Sequence, residues 1–395
     1  MIILLFLGTI LVSSCAPVPQ SAMIANEQSL ASTEVILPTQ PPQVTPNPQS
    51  SLGQGFSTDL SIRSVPLEEF LYGGPPKGGI PAIDNPQFEG ITSADMWLEE
   101  VEPLMVVAYG DEVKGYPIQV LIWHEIVNDE IDGKPFSITY CPLCTTSVVY
   151  ERVVDGQLLD FGVSGRLRYS NMVMYDRQTE SWWQQATGAA IVGSLTGKKL
   201  TAYPSFVISW GDYKNLYPQG LVLSRVPGAI MRYGENPFPG YDDLSDFPRF
   251  YNGPSVPDIL PAMERVLLVL GEEETAAYPY SVLRREQVIM DVIDGKPVVI
   301  FWKTGTASAL DDEKIANGRD VGAVTAFWTE VDGIPLQFSA QEGQFSDQET
   351  GSVWNLGGYA VSGPLEGKQL KPLVTITHFW FSTAAFYPEA RLFSE

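Results

Sequence analysis

The chain repeats itself, and the repeat limits what it can fold into more than any other feature. Tyr116-Pro117 returns as Tyr278-Pro279, Leu121 as Leu283, and Asp132-Gly133-Lys134-Pro135 as Asp294-Gly295-Lys296-Pro297, each 162 residues later, as from 116 to 278. Farther along, Thr179, Ser181 and Trp183 return as Thr350, Ser352 and Trp354, 171 residues later. Gly197-Lys198, Leu200, Trp210 and Tyr217-Pro218 return as Gly367-Lys368, Leu370, Trp380 and Tyr387-Pro388, 170 residues later. Ordered matches at a nearly constant spacing mark a duplicated unit. The spacing predicts two tandem copies of one domain, in residues 57–225 and 260–395. A Pro- and Gly-rich connector over 226–259 joins them.

Within the first copy, Leu104 to Ala108, Phe136 to Tyr140, Ser147 to Val153, Leu158 to Val163 and Met172 to Tyr175 are short apolar, β-branched runs. Asp132-Gly133 and Asp155-Gly156 fall between such runs, as hairpin turns do. Pro117 opens a stretch, Ile118 to Val127, whose apolar residues Ile118, Leu121, Ile122 and Ile126 follow helical spacing. A second short helix is predicted over Gly211 to Leu216. The expected fold class is α+β and β-dominated. Each copy is expected to be a small antiparallel sheet or partial barrel with short helices.

The N-terminus carries an apolar run that ends Leu11-Val12-Ser13-Ser14-Cys15. It is shorter than the roughly 20 apolar residues of a membrane span, and it fits a secretory signal over 1–14. The ending resembles a bacterial lipobox with Cys15 as the acylated residue, although no Lys or Arg precedes the apolar run. The alternative is a plain cleaved signal with an incidental cysteine. Residues 15–56, rich in Pro, Gln, Ser and Thr, read as a disordered tether. The expected location is therefore extracytoplasmic, with the membrane as a partner through a lipid anchor at Cys15. The net charge of −23 argues against nucleic acid. It leaves any protein or small-molecule partner unidentified.

Comparing the copies separates scaffold from chemistry. Asp129 persists as Asp291, which suggests a structural role such as a cap or turn bond. The reactive groups do not persist: His124 becomes Glu286, Cys141 becomes Lys303 and Cys144 becomes Thr306. Trp123, Asn128 and Tyr140 also change, to Arg285, Met290 and Trp302. Any site is therefore expected in the first copy, at His124-Glu125 and Cys141-Pro142-Leu143-Cys144.

Three readings stand side by side. Two thiolates and an imidazole suit copper or zinc, with Cys141, Cys144 and His124 as ligands and Glu125 as a further or outer one. The pair is alternatively a thiol–disulfide oxidoreductase, with Cys141 attacking and Cys144 resolving. Against this, thioredoxin-like pairs open a helix, whereas a strand is predicted after Cys144. The third reading is a surface interaction protein in which an exported chain closes a structural disulfide, and His124 is a core residue. The chain has no zinc-type second Cys-x-x-Cys, no Ser-His-Asp order and no phosphate loop. His378 aligns with Ile208 inside an aromatic run and reads as packing. Ser164-Gly165-Arg166, Asn171 and Tyr175-Asp176-Arg177 supply polar groups for a pocket. Trp182 and Trp183 suit a cleft wall or, since Trp183 repeats, the core.

Several longer words carry a resemblance. They are Gly79-Ile80-Pro81-Ala82-Ile83-Asp84-Asn85-Pro86, Trp123-His124-Glu125-Ile126-Val127-Asn128-Asp129 and Thr139-Tyr140-Cys141-Pro142-Leu143-Cys144. To these add Phe161-Gly162-Val163-Ser164-Gly165 and Met174-Tyr175-Asp176-Arg177-Gln178-Thr179. Together they resemble the domain of unknown function 3179 family along nearly all of the first copy. The second copy is similar to a divergent version. The resemblance implies no activity. It implies that the His-Glu and Cys-Pro-Leu-Cys words belong together.

Overall fold

The structure, a computed structural model, describes residues 52–341 and 344–394. The signal, Cys15 and most of the expected tether lie outside the described residues. The first half opens with antiparallel strands β1 (Pro103–Tyr109) and β2 (Glu112–Pro117). Pro117, in extended backbone, then admits α1 (Ile118–His124), which buries Ile118, Leu121 and Ile122. Glu125 follows with a φ of 59°, a left-handed turn unusual for a residue with a side chain. That turn ends the helix three residues before the expected Val127. Ile126 keeps the apolar spacing but opens β3 (Ile126–Ile131), facing Thr139 of β4 (Lys134–Cys141). Asp132 and Gly133, with φ of 43° and 75°, close this hairpin. Positive φ at both central residues matches the twist of the strands.

Then come β5 (Thr146–Glu151), β6 (Phe161–Arg168), β7 (Asn171–Asp176), β8 (Trp182–Gln184) and β9 (Phe206–Ser209). Helix α2 (Trp210–Leu216) follows, its first turn capped by Ser209 Oγ accepting from the Asp212 amide. The expected strand from Leu158 divides: Gln157–Leu158 pairs locally with Val153–Val154 across the second Asp-Gly turn, and the long strand starts at Phe161.

The second half runs through the same kinds of element. Strands β10 (Arg265–Leu270) and β11 (Thr275–Pro279) lead into α3 (Tyr280–Glu286). Gln287, at φ 60°, then turns the chain into β12 (Val288–Ile293), β13 (Lys296–Lys303) and β14 (Ala323–Trp328). After β15 (Phe338–Gln341), β16 (Gln344–Asp347) and β17 (Val353–Trp354) come β18 (Val374–Phe379) and α4 (Trp380–Phe386). Individual bonds recur too. Tyr116 donates to Asp129 at 2.6 Å and Tyr278 to Asp291 at 2.6 Å. Trp183 Nε1 donates to Asp176 at 2.9 Å and Trp354 Nε1 to Asp347 at 2.9 Å. Asp129 is thus structural, but as a cross-strand lock with Tyr116 and Lys114 rather than as a cap.

The fold is β-dominated, built from several small sheets with short helices, and none closes into a barrel. The largest sheet crosses the halves. Its order is Arg391–Leu392, β11, β10, β18, β5, β4, β3, and Ala202–Tyr203 also pairs with β5. The splice is between β18 and β5, where Thr377 faces Ser147. In the reciprocal position β9 packs beside β14, and Thr375 Oγ1 of β18 donates to the Ser205 carbonyl at 2.9 Å.

The cores cross as well. One buries Ile126, Phe136 and Val148 with Val266, Ile376 and Phe379; another buries Leu104, Ile208 and Trp210 with Val299, Phe301 and Phe327. Burying apolar surface is what makes such packing favourable. Here each half needs the other to complete it. The expected boundaries near 225 and 260 divide the sequence, while residues 52–394 pack as part of one unit.

Candidate functional site

Cys141 ends β4 and faces Thr146, the first residue of β5, across the ladder. Pro142, Leu143, Cys144 and Thr145 form the tip of this hairpin, with Thr145 at φ 50°. The cysteine pair therefore sits on a strand-to-strand loop. The rest of the molecule grips that loop from three sides. Tyr241 of the connector donates to the Leu143 carbonyl at 2.8 Å, and Arg265 of β10 to Thr145 Oγ1 at 3.0 Å. The Phe379 amide of β18 donates to the Cys144 carbonyl at 3.0 Å.

Both cysteines are free thiols, 1% and 0% exposed. Their surroundings differ. Cys144 Sγ accepts from Thr146 Oγ1 at 2.9 Å and from Asn171 Nδ2 at 3.0 Å, and it lies within hydrogen-bonding reach of Cys141. Burial alone pushes a thiol up. At Cys144 the hydrogen bonds from Cys141, Thr146 and Asn171 outweigh burial and bring it below the usual thiol range. Cys141 goes the other way. Burial, the bond it gives Cys144 and the charge there push it well above that range. The expected roles are thereby reversed: Cys144, not Cys141, is the sulfur prepared as a thiolate. The cause is that Thr146 and Asn171 aim their donors at it.

Behind Thr146 stands His378. Its Nδ1 is 2.6 Å from Thr146 Oγ1. With the Thr146 proton directed to sulfur, Nδ1 carries hydrogen and donates to the hydroxyl. Burial pushes His378 down to about 3, so the ring is neutral. Asn171 is itself fixed, its amide reaching Gln185 Oε1 at 2.7 Å. Gln185 in turn donates to Thr139 Oγ1 at 2.9 Å. A buried polar network of this size is costly unless every member is paired, and it converges on one sulfur.

The other expected ligands separate. Glu125 does approach the thiols: burial first, and the negative charge of Cys144 second, push its carboxyl up to about 8. Among the described residues its carboxyl makes no hydrogen bond. His124, its neighbour, is engaged elsewhere, with Nδ1 2.7 Å from the Pro81 carbonyl and Nε2 2.7 Å from the Tyr233 hydroxyl. Burial holds it below the usual histidine range, the Pro81 bond opposing in part. Among the described residues no three or more His, Cys, Asp and Glu side chains are grouped to hold a metal ion. The joint site expected from the two sequence words is therefore made with Glu125 and without His124.

Of the polar pocket candidates, only Asn171 reaches the sulfurs. Arg166 is spent on the Leu52 and Gln54 carbonyls, Asp176 on Trp183 and Thr179, and Arg177 on Asp84. Ser164 bonds the Val173 carbonyl, while Trp182 and Trp183 are core. Sequence reasoning missed Thr146 and His378. The available signal was that one of only two histidines replaces an apolar counterpart, Ile208.

Fold and site together define a β-dominated protein of two interlocked halves with an asymmetric buried dithiol. The chain matches the family described as "Protein of unknown function (DUF3179)" over residues 77–390, and it belongs to that family. The match runs through both halves and the connector, although the words that resemble the family lie in the first. No curated protein and no solved structure matches the chain.

Proposed function

We propose that this chain is an extracytoplasmic thiol–disulfide oxidoreductase, anchored through a lipid on Cys15 and built by duplication. One observation carries the reading: two adjacent buried thiols pushed in opposite directions, with a proton-holding carboxyl beside them. In the forward step, the Cys144 thiolate attacks a substrate disulfide and joins one of its sulfurs. The other sulfur leaves as a thiolate and takes a proton. Cys141 then gives its proton to Glu125, or to water, and attacks the Cys144 sulfur. The second substrate thiol leaves, and Cys141 and Cys144 are joined as the disulfide. The substrate gains two electrons and the pair loses two. Burial of both sulfurs favours a small disulfide over a protein one.

The competing reading is copper or zinc on the two sulfurs, with Glu125 the remaining donor near them. One experiment separates the possibilities. The whole chain is equilibrated in glutathione buffers of graded ratio, acid-quenched, alkylated and weighed, with metal content measured on the same preparation. The expected result is a reversible two-electron transition that is absent in both Cys144→Ser and Cys141→Ser. A bridge that no buffer reduces marks a structural disulfide and overturns the proposal. So does a stoichiometric metal ion that shields both thiols.

A further inference from the structure

His124 borders a cavity of its own, of about 480 Å³, within the size range of small-molecule sites. Its walls are Pro81 to Asn85 on one side and Leu223 to Met231 on the other. The lining is mostly apolar, with a few polar groups converging on it, as such sites generally have. Two of the sequence words shared with the family, Gly79 to Pro86 and Trp123 to Asp129, meet here.

His124 makes the cavity preformed. Its Nδ1–H donates to the Pro81 carbonyl and its Nε2 accepts from Tyr233, so one neutral ring ties the two walls together. A site held open in this way loses less entropy on binding.

The charge in the cavity is unbalanced. Asp84 is already compensated by Arg177 at 2.7 Å and by Asn128 Nδ2 at 2.8 Å. Arg225 is not. Its Nε and Nη2 donate to the neutral Gln119 Oε1 at 3.1 and 2.7 Å, and its guanidinium lies over the Trp97 ring at 4.6 Å. Gln119 is braced by Glu102, whose two oxygens accept from Gln119 Nε2 at 2.9 Å each. Among the described residues Arg225 makes no ion pair, and its Nη1 makes no hydrogen bond. A half-buried guanidinium, held still and unpaired in a chain of net charge −23, lacks an anion.

We infer that this cavity binds a small organic carboxylate with an apolar body, the carboxylate on Arg225 and the body against the Pro81–Ile83 and Val226–Met231 walls. The inference goes beyond the dithiol reading and does not depend on it.

The test uses the whole chain and two matched probe pairs, hexanoate with hexanamide and benzoate with benzamide, titrated by calorimetry. The carboxylates are expected to bind at least about tenfold more tightly than the amides, the size of one charge-assisted bond. Arg225→Gln is expected to erase that preference. Ala229→Trp, on the exposed side of the cavity, is expected to abolish binding of both. His124→Gln is expected to weaken acid and amide alike. Equal binding of acid and amide, binding untouched by Ala229→Trp, or no binding of any probe overturns the inference. If Arg225→Gln fails to fold, the acid–amide comparison and Ala229→Trp decide it. Cys144→Ser leaves the binding unchanged, so failure of the redox reading is told apart from failure here.

Discussion

The two halves make the same locks in different settings, and the setting decides what a residue is free to do. Asp129 is buried and holds Lys114 as well as Tyr116. Asp291 makes the same tyrosine bond near the surface and shares the exposed Arg391 with Glu274. At the hairpin tip the contrast is chemical. Cys141 faces Thr146 where Lys303 faces Ala323. The first half carries the sulfurs and a donor. The second supplies, through β18, the histidine that orients that donor.

The largest way to break the comparison is at the locks. Asp129→Ala strands the Lys114 ammonium in the interior and is expected to cost about 3–5 kcal/mol. Asp291→Ala leaves Arg391 its Glu274 partner and water, so about 1 kcal/mol is expected. Urea unfolding of the two variants decides the matter, and equal losses would show that the two settings are equivalent.

Next comes the histidine lent by the second half. His378 is depressed to about 3 from 6.5, so the unfolded chain binds its proton first. Its contribution to stability is present above pH 6.5 and is lost as pH falls toward 3. The advantage of His378→Gln over wild type is expected to grow by about 1.4 kcal/mol per pH unit on acidification. Parallel stability curves for the two proteins would contradict the burial of a neutral ring.

Glu125 works in the opposite sense and over a higher window. Its folded value, about 8, lies above the unfolded 4.5. The folded state holds the proton longer, so its contribution is full below pH 4.5 and is lost as pH rises to 8. Glu125→Gln is expected to remove that loss, and the gap to wild type should widen between pH 5 and 8 by roughly 1 kcal/mol per unit at most. A gap that does not change with pH would mean Glu125 is ionised in the folded protein.

The smallest effect sharpens the assignment of the two sulfurs. Thr146→Val removes one donor and is expected to slow iodoacetamide capture of Cys144 roughly threefold to tenfold at pH 7, about one kcal/mol of thiolate stabilisation. Faster capture of Cys141 than of Cys144 in the wild type would reverse the roles again.

Much of this was legible beforehand, for identifiable reasons. Asp-Gly turns, alternating strands and the two repeated Trp–Asp and Tyr–Asp locks are short-range features, and their residues recur in order. The helix was drawn too long because Ile126 satisfies helical and strand spacing alike, and only the backbone turn at Glu125 separates them. The site was half legible. Cys141, Cys144 and Glu125 come together because β3, β4 and β5 are consecutive and paired. His124 looked like a fellow ligand because it adjoins Glu125 in sequence, but the turn at the helix end commits it to Pro81 and Tyr233. His378 lies 232 residues from Thr146. Its role depends on a strand splice between halves, which no local pattern announces.

That splice also governs the order of events at birth. A chain emerging N-terminus first completes β5 long before β18 exists, so the outer backbone of β5 and the apolar residues behind it wait uncovered. An open strand edge is a template for a neighbour's strand, and pairings this distant along the chain form slowly. The nascent first half therefore passes through an interval in which a second nascent copy is as good a partner as its own unfinished remainder. How safely the protein is made depends on how quickly residues 374–379 arrive.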